Sequence, residues 1–105
     1  MGQLGRSQAM RLLVLSLAKS DLKEIYLRLS EYGESPPQKF RISFEKFCAQ
    51  VVDMPYMFGQ YEYSKNYRRA VLIFDYLVFY KVDENNGVIK VHRVLHSKRN
   101  IEPLL

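Results

Sequence analysis

The sequence predicts a small α+β domain in the order β-α-α-β-β-β, with a helical hairpin packed on one face of a small antiparallel sheet. Two segments of the first half carry apolar residues at helical spacing. Three segments of the second half are rich in the β-branched and aromatic residues that strands favour. The turns between those three segments are too short for a crossover helix, so the strands must pair antiparallel.

The composition is that of one globular domain rather than a disordered chain. The 105 residues are 48% apolar and 26% charged, enough for one modest core. The only cysteine, Cys48, lies in an apolar helical pattern, so we expect a buried thiol and no intrachain disulfide. No apolar run approaches the roughly 20 residues of a membrane span, and we expect a cytoplasmic protein without a membrane partner.

One strand and one helix are expected before the short link that joins the two predicted helices. Residues 1–9 show no periodicity, and we interpret them as a disordered or vector-derived leader before a single domain over residues 10–105. Residues 11–17 form an apolar run of the length of a buried strand. A helical stripe follows, and Gly33 is suited to end that helix. The stripe consists of Ala18, Leu22, Ile25, Leu29 and Tyr32.

A second helix is expected to begin at Ser35. Ser35 is a suitable cap, Pro36 suits the first helical position, and Pro55 ends the pattern because the residue before proline avoids the helical region. The apolar stripe consists of Pro37, Phe40, Phe44, Phe47 and Val51. Residues 54–66 form an aromatic-rich loop, which we interpret as a lid over the core edge rather than a binding surface.

Residues 67–74, 76–82 and 88–96 are predicted as the three strands of a meander, joined at Asp75 and at residues 83–87. Tyr76 and Tyr80 share one strand face, and aromatic residues there usually pack. In the last strand, Arg93 interrupts the apolar alternation. We therefore expect Arg93 at the edge of the core, or re-aimed by a β-bulge.

A cluster of cations marks the end of the last strand. Residues 88–99 contain two histidines and no acidic residue, which suggests a polyanion or an acidic partner, while composition alone supports a merely solvated surface equally well. Arg69 opens the first strand of the meander. Strands of equal length would place Arg69 and His96 at opposite ends of the sheet, so an offset or a bend is needed to bring them together. The cations of the cluster are Lys90, Arg93, Lys98 and Arg99.

Several kinds of site are excluded. His92 and His96 would stand about 13 Å apart along a strand, too far to share a metal ion. The sequence has no nucleophile-elbow, dinucleotide-binding or P-loop motif, which argues against an ordinary metabolic enzyme. We therefore expect neither a metal nor a cofactor.

The second half, YRRAVLIFDYLVFYKVDENNGVIKVHRVLHSKRNI, resembles the RelE/ParE superfamily of toxins from bacterial type II toxin–antitoxin modules. The likeness includes an Arg opening a strand (Arg69), a Y-x-x-x-Y-x-V strand, an acidic and Asn/Gly turn, and the closing V-x-R-V-x-H-x-x-R at residues 91–99. Residues 15–29, with the pattern A-x-x-D-L-x-x-I, are similar to the family's opening segment. The family also shares the predicted order of elements.

This resemblance implies a small toxin neutralised by a cognate antitoxin, with homodimerisation left open. ParE-like members inhibit DNA gyrase by binding, which is the function we expect. RelE-like members cut mRNA on the ribosome without a metal. In that alternative His96 is the general base, and Arg69 and Arg99 stabilise the phosphorane. A third alternative is an inactive relative that only binds an antitoxin or DNA.

Two departures from the RelE-like pattern favour the gyrase interpretation over an enzyme. Residues 100–105 lack the Tyr that follows the final Arg in RelE-like nucleases, and the chain, with a net charge of +5, is less basic than such nucleases. For a binding toxin, we expect the target contacts to come from Arg93, Lys98 and Tyr80.

Overall fold

The computed structural model describes residues 10–64 and 66–105, so the predicted leader at residues 1–9 lies outside the described residues. The observed order is β-α-α-β-β-β, as predicted, with short 3-10 turns before the second-last strand and near the C-terminus. The elements are β1 (Arg11–Val14), α1 (Ser16–Ser30), α2 (Ser35–Asp53), β2 (Arg68–Val71), β3 (Tyr76–Asp83) and β4 (Val88–His96).

The four strands form one sheet in the order β1-β4-β3-β2. The three strands of the meander pair antiparallel, as their short turns require. β1 joins the other edge and runs parallel to β4, with Arg11 opposite Val88 and Val14 opposite Val91, so the complete sheet is mixed. Since β1 ends there, β4 has no paired strand on that side beyond residue 91 among the described residues.

The helices pack on one face of the sheet and form the main core with it. Every second residue of β3 faces the helices, and Phe40, Phe47 and Val51 of α2 are buried against them. Tyr80 lies at the centre of this core, with its ring 5.5 Å from the ring of Phe47. The sheet residues of this core are Ala70, Tyr76, Val78, Tyr80, Ile89, Val91 and Val94.

A second, smaller core lies on the opposite, outer face of the sheet. There the loop after α2 and the C-terminal residues cover the remaining side chains of β3 and β4. Ile101 is buried in this cluster, and Leu104 and Leu105 pack against it. Its buried residues are Tyr61, Tyr67, Leu77, Phe79, Leu95 and Ile101.

Several element boundaries differ from the sequence prediction. β1 ends at Val14 rather than residue 17, because Lys19 N–H already donates to Leu15 O and opens α1. Ser35 is the first residue inside α2 instead of its cap, and it makes no capping bond with its side chain. The strand predicted over residues 67–74 stops at Val71 and is followed by a tight turn.

Candidate functional site

The end of β4 carries the cations that the sequence singled out. Beyond His96 the chain turns, with Arg99 N–H donating to His96 O at 3.0 Å. Ser97 N–H donates to Asp75 O at 2.9 Å, which fixes this turn against the β2–β3 connection. Lys98 and Arg99 are exposed, and neither forms an ion pair with any residue that the structure describes. The turn therefore presents two uncompensated charges.

His96 is held by a hydrogen bond that determines where its proton lies. Its Nδ1 accepts from Lys98 N–H at 3.1 Å, and its ring stands edge-on to Tyr76 with a centroid distance of 5.0 Å. A neutral imidazole whose Nδ1 accepts carries its proton on Nε2. In this arrangement Nε2 is a hydrogen-bond donor, and it has no free lone pair with which to act as a base.

His96 faces the helix side of the sheet and lines a groove of about 660 Å³. We call it the helix-side groove. It lies between the link that joins the helices, the β2–β3 turn and the end of β4. Its floor is mainly apolar and aromatic, and its rim is cationic. The lining residues are Arg28, Leu29, Tyr32, Pro36, Phe74, Tyr76, His96, Lys98 and Arg99.

Arg69 lies on the opposite face of the sheet. It pairs in register with Phe79, whose ring belongs to the outer core, whereas His96 pairs with Tyr76, whose ring belongs to the main core. Arg69 lines an outer pocket of about 460 Å³ together with Tyr61, Asp75, Arg99 and Glu102. Arg99 lies beyond the end of β4 and lines both pockets. No described pocket is lined by both Arg69 and His96.

Arg93, which we expected to contact a target, is instead neutralised within the fold. Its Nε and Nη2 donate to the two carboxylate oxygens of Asp21, each at 2.8 Å, and its Nη1 donates to Leu104 O at 2.9 Å. The hydrogen bond to Asp21 raises the pKa of Arg93. Only 14% of the Arg93 side chain is exposed, so it is not presented to a partner.

A β-bulge explains how Arg93 avoids the main core. The pairing of β3 with β4 shifts between Phe79 and Tyr80, which leaves His92 as an extra residue on β4. As a result Arg93 shares the outer face of the sheet with Phe79, and its guanidinium reaches Asp21 of α1 instead of entering the main core. The ring of His92 stands 5.3 Å from that of Tyr67 in the outer cluster. This confirms the bulge that the sequence suggested.

Tyr80, the other expected target contact, is fully buried. Its hydroxyl donates to Pro55 O at 2.9 Å, and burial raises the pKa of Tyr80 to about 12. The packing role expected of strand tyrosines therefore holds, and Tyr80 presents no surface to a target in this structure. Of the three expected target contacts, only Lys98 is exposed.

Sequence reasoning missed two residues that shape this region. Asp21 binds Arg93 and also accepts from Val94 N–H at 2.9 Å, but nothing local marks it as the partner of a residue in the last strand. Phe74 was assigned to a strand, although it lies in the turn beside Asp75.

No group of three potential metal ligands occurs within residues 10–64 and 66–105. No helix of those ranges is long and apolar enough to span a membrane.

The comparison with protein families gives a match over residues 12–101 to the ParE toxin of the type II toxin–antitoxin system parDE. The chain belongs to the ParE toxin family. As such it is the toxin of a type II toxin–antitoxin module. No curated protein sequence matches it significantly.

The fold of this ParE-family toxin is shared by solved structures at low sequence identity. The RelBE toxin–antitoxin complex of E. coli matches with 16% identity and a TM-score of 0.63, over 87% of this chain and 100% of that chain. The RelBE2 toxin–antitoxin complex of Mycobacterium tuberculosis also matches with 16% identity and a TM-score of 0.63, over 90% of this chain and 98% of that chain. The chromosomal ParDE system of P. aeruginosa gives 18% identity and a TM-score of 0.59, over 84% and 96%. Identities this low establish the fold alone.

Proposed function

We propose that this toxin inhibits DNA gyrase by binding to it, without catalysing a reaction itself, and that a cognate antitoxin neutralises it. Gyrase acts on DNA in the cytoplasm, which is where the proposal places the toxin. The exposed Lys98 is the candidate contact to the target that remains from the sequence analysis.

The observation that carries this proposal is the position of Arg69 relative to His96. A metal-independent ribonuclease needs its base and its phosphate-binding cations around one scissile phosphate. Here Arg69 faces the outer pocket and His96 the helix-side groove, with the sheet between them. In addition, the hydrogen bond at Nδ1 of His96 leaves Nε2 protonated, which suits a donor rather than a base.

The C-terminal residues support the same proposal. A RelE-like nuclease places a tyrosine just after its final arginine, whereas residues 100–105 of this chain contain none. Here Ile101 is buried against the outer face of the sheet, and Glu102–Leu104 form a 3-10 turn. This segment therefore serves packing.

The test supplies purified toxin to gyrase with supercoiled plasmid, and in parallel to translating ribosomes with mRNA. We expect linear plasmid after the gyrase reaction is stopped with detergent and protease, and intact mRNA. Arg69→Ala and His96→Ala are expected to retain growth inhibition, since neither is needed for chemistry. Cuts in mRNA that disappear in both variants would instead establish the ribonuclease alternative. The observation that favours this alternative is the exposure of two cations, Lys98 and Arg99, at the end of β4.

A further inference from the structure

The β2–β3 turn holds an aromatic residue in a backbone conformation that is unfavourable for it. Phe74 has φ of 64° and ψ of 22°, and Asp75 has φ of 62°. Two consecutive positive φ values are typical of tight hairpin turns, where Gly, Asn and Asp are the favoured residues. Asp75 suits this position, but Phe74 is a bulky residue for which the left-handed region is a strained outlier.

Burial of the ring does not explain this strain. Phe74 is 39% exposed and belongs to neither of the two core clusters. Its ring lines the helix-side groove together with Tyr32, which lies just after the end of α1. Tyr32 was expected in the core stripe of α1, yet it is 77% exposed. The groove therefore presents two large aromatic side chains that contribute little to the core.

Hydrogen bonds to two other elements hold the turn in place. Ile73 N–H donates to Ser43 Oγ of α2 at 3.1 Å, and Ser97 N–H after β4 donates to Asp75 O at 2.9 Å. Leu72 N–H donates to Tyr76 O at 2.7 Å across the base of the turn. Strain of this kind persists where the surroundings enforce it, and it concentrates at binding sites.

The rim of the groove carries uncompensated positive charge. Arg28, Lys98 and Arg99 form no ion pair within the described part of the chain, and no acidic residue is among the described residues that line the groove. Asp21 and Glu24 line a small adjacent cleft of about 20 Å³, but Asp21 is already bound to Arg93. A ligand with negative charge would complement this rim.

We propose that the helix-side groove binds an acidic segment of the antitoxin, with one bulky apolar residue of that segment seated between Phe74 and Tyr32. Its carboxylates pair with Arg28, Lys98 and Arg99. A polypeptide fits better than a nucleic acid because the cations form one compact group beside an apolar floor. A nucleic acid backbone needs cations spread along a track. The inference rests on family membership and not on the choice of gyrase as target.

The test uses intact toxin and a fluorescent nine-residue peptide with a central Leu-Trp pair flanked by glutamates. One control peptide replaces the apolar pair with serines, and another replaces the glutamates with glutamines. We expect binding that weakens at least tenfold in both controls. Nine-nucleotide single strands of RNA and DNA are added as competitors. Equal binding of the control peptides, or displacement by an oligonucleotide at lower concentration than the unlabelled peptide, would overturn the proposal.

Two variants locate the site and test the origin of the strain. Lys98→Glu is expected to weaken peptide binding at least tenfold, while Lys46→Glu, the same charge change on an exposed part of α2 outside the groove, leaves it unchanged. Phe74→Asn is expected to raise the midpoint of thermal unfolding by roughly 4 °C, since Asn tolerates positive φ, and to weaken binding at least tenfold. A lowered midpoint, or unchanged binding, would show that Phe74 has a structural role instead.

The outcome is separable from that of the proposed function. The peptide assay contains neither gyrase nor ribosomes, so loss of peptide binding in these variants supports the groove whichever target the toxin attacks. Conversely, a toxin that linearises plasmid but binds none of the peptides overturns only the groove.

Discussion

The ion pair between Arg93 and Asp21 stabilises the edge of β4 beyond the end of β1. Asp21 accepts from Arg93 and from Val94 N–H, which has no strand neighbour there. Both side chains are largely buried, with exposed fractions of 14% and 11%. We expect Asp21→Ala to lower the free energy of unfolding by about 2–4 kcal/mol, because it removes the carboxylate partner of a partly buried guanidinium and the acceptor of the Val94 amide. Urea denaturation measures this change.

The pair of Lys90 with Asp83 serves as the control for that measurement. Its nitrogen and oxygen are 3.4 Å apart, and the Lys90 side chain is 39% exposed. Exposed pairs contribute little, so Lys90→Met should leave the urea midpoint nearly unchanged. If both substitutions had equally small effects, Arg93 would not be held by the fold as described.

His92 gives the folded state a dependence on pH. Burial, followed by the charges of Lys81 and Lys90, lowers the pKa of His92 below its usual value of 6.5, and its Nε2 is buried without a hydrogen-bond partner in the part of the chain that the structure describes. Below pH 6.5 the unfolded chain therefore binds a proton that the folded chain resists, until the lowered pKa is passed. We expect stability to decrease as the pH falls from 6.5.

The substitution His92→Phe tests this dependence, since it keeps a ring beside Tyr67 and removes the titrating group. Urea midpoints measured between pH 5 and pH 8 are expected to fall less steeply at the acidic end in the variant. Parallel profiles for the two proteins would mean that His92 does not contribute to the loss of stability in acid.

At the scale of elements, the alternation of apolar residues along β4 predicted that Arg93 stays out of the core, but it could not predict which distant residue binds Arg93. Arg93 in an apolar pattern was enough to predict either a position at the edge of the core or a bulge, because a core strand does not bury an unpaired cation. The partner was not predictable, since Asp21 lies 72 residues earlier and its pairing depends on where β1 ends. The alternation of β3 likewise indicated that Tyr80 packs, but not that its ring packs against Phe47 of α2.

The β2–β3 connection shows a different limit. Asp75 correctly marked a tight turn, but Phe74 reads as a strand residue because local propensity favours aromatic residues in strands. The hydrogen bonds from Ile73 to Ser43 and from Ser97 to Asp75 impose the turn from outside the segment. Local sequence therefore could not reveal that Phe74 has a positive φ and lines a groove.

For the whole molecule, the two faces of the sheet determine which residues can act together. The sequence predicted that strands of equal length would place Arg69 and His96 at opposite ends of the sheet. The register instead offsets β2, so that Arg69 lies opposite Phe79 and His96 opposite Tyr76, nearer along β3 than equal strands would place them but on opposite faces. Face assignment needed the bulge in β4, which resets the alternation between Val91 and Val94. The candidate site of the sequence thus consists of two pockets that share Arg99.

The outer face of the sheet holds a core of its own, and Ile101 is the residue that tests it. Ile101 is 7% exposed and packs in the cluster that includes Leu77, Phe79 and Leu95. We expect Ile101→Ala to lower the free energy of unfolding by about 2–4 kcal/mol, as for other truncations of buried aliphatic side chains. Leu27→Ala, at a position 62% exposed on α1, is the control and should change stability little. If Ile101→Ala were as mild as the control, the C-terminal residues would only lie on the sheet without stabilising it.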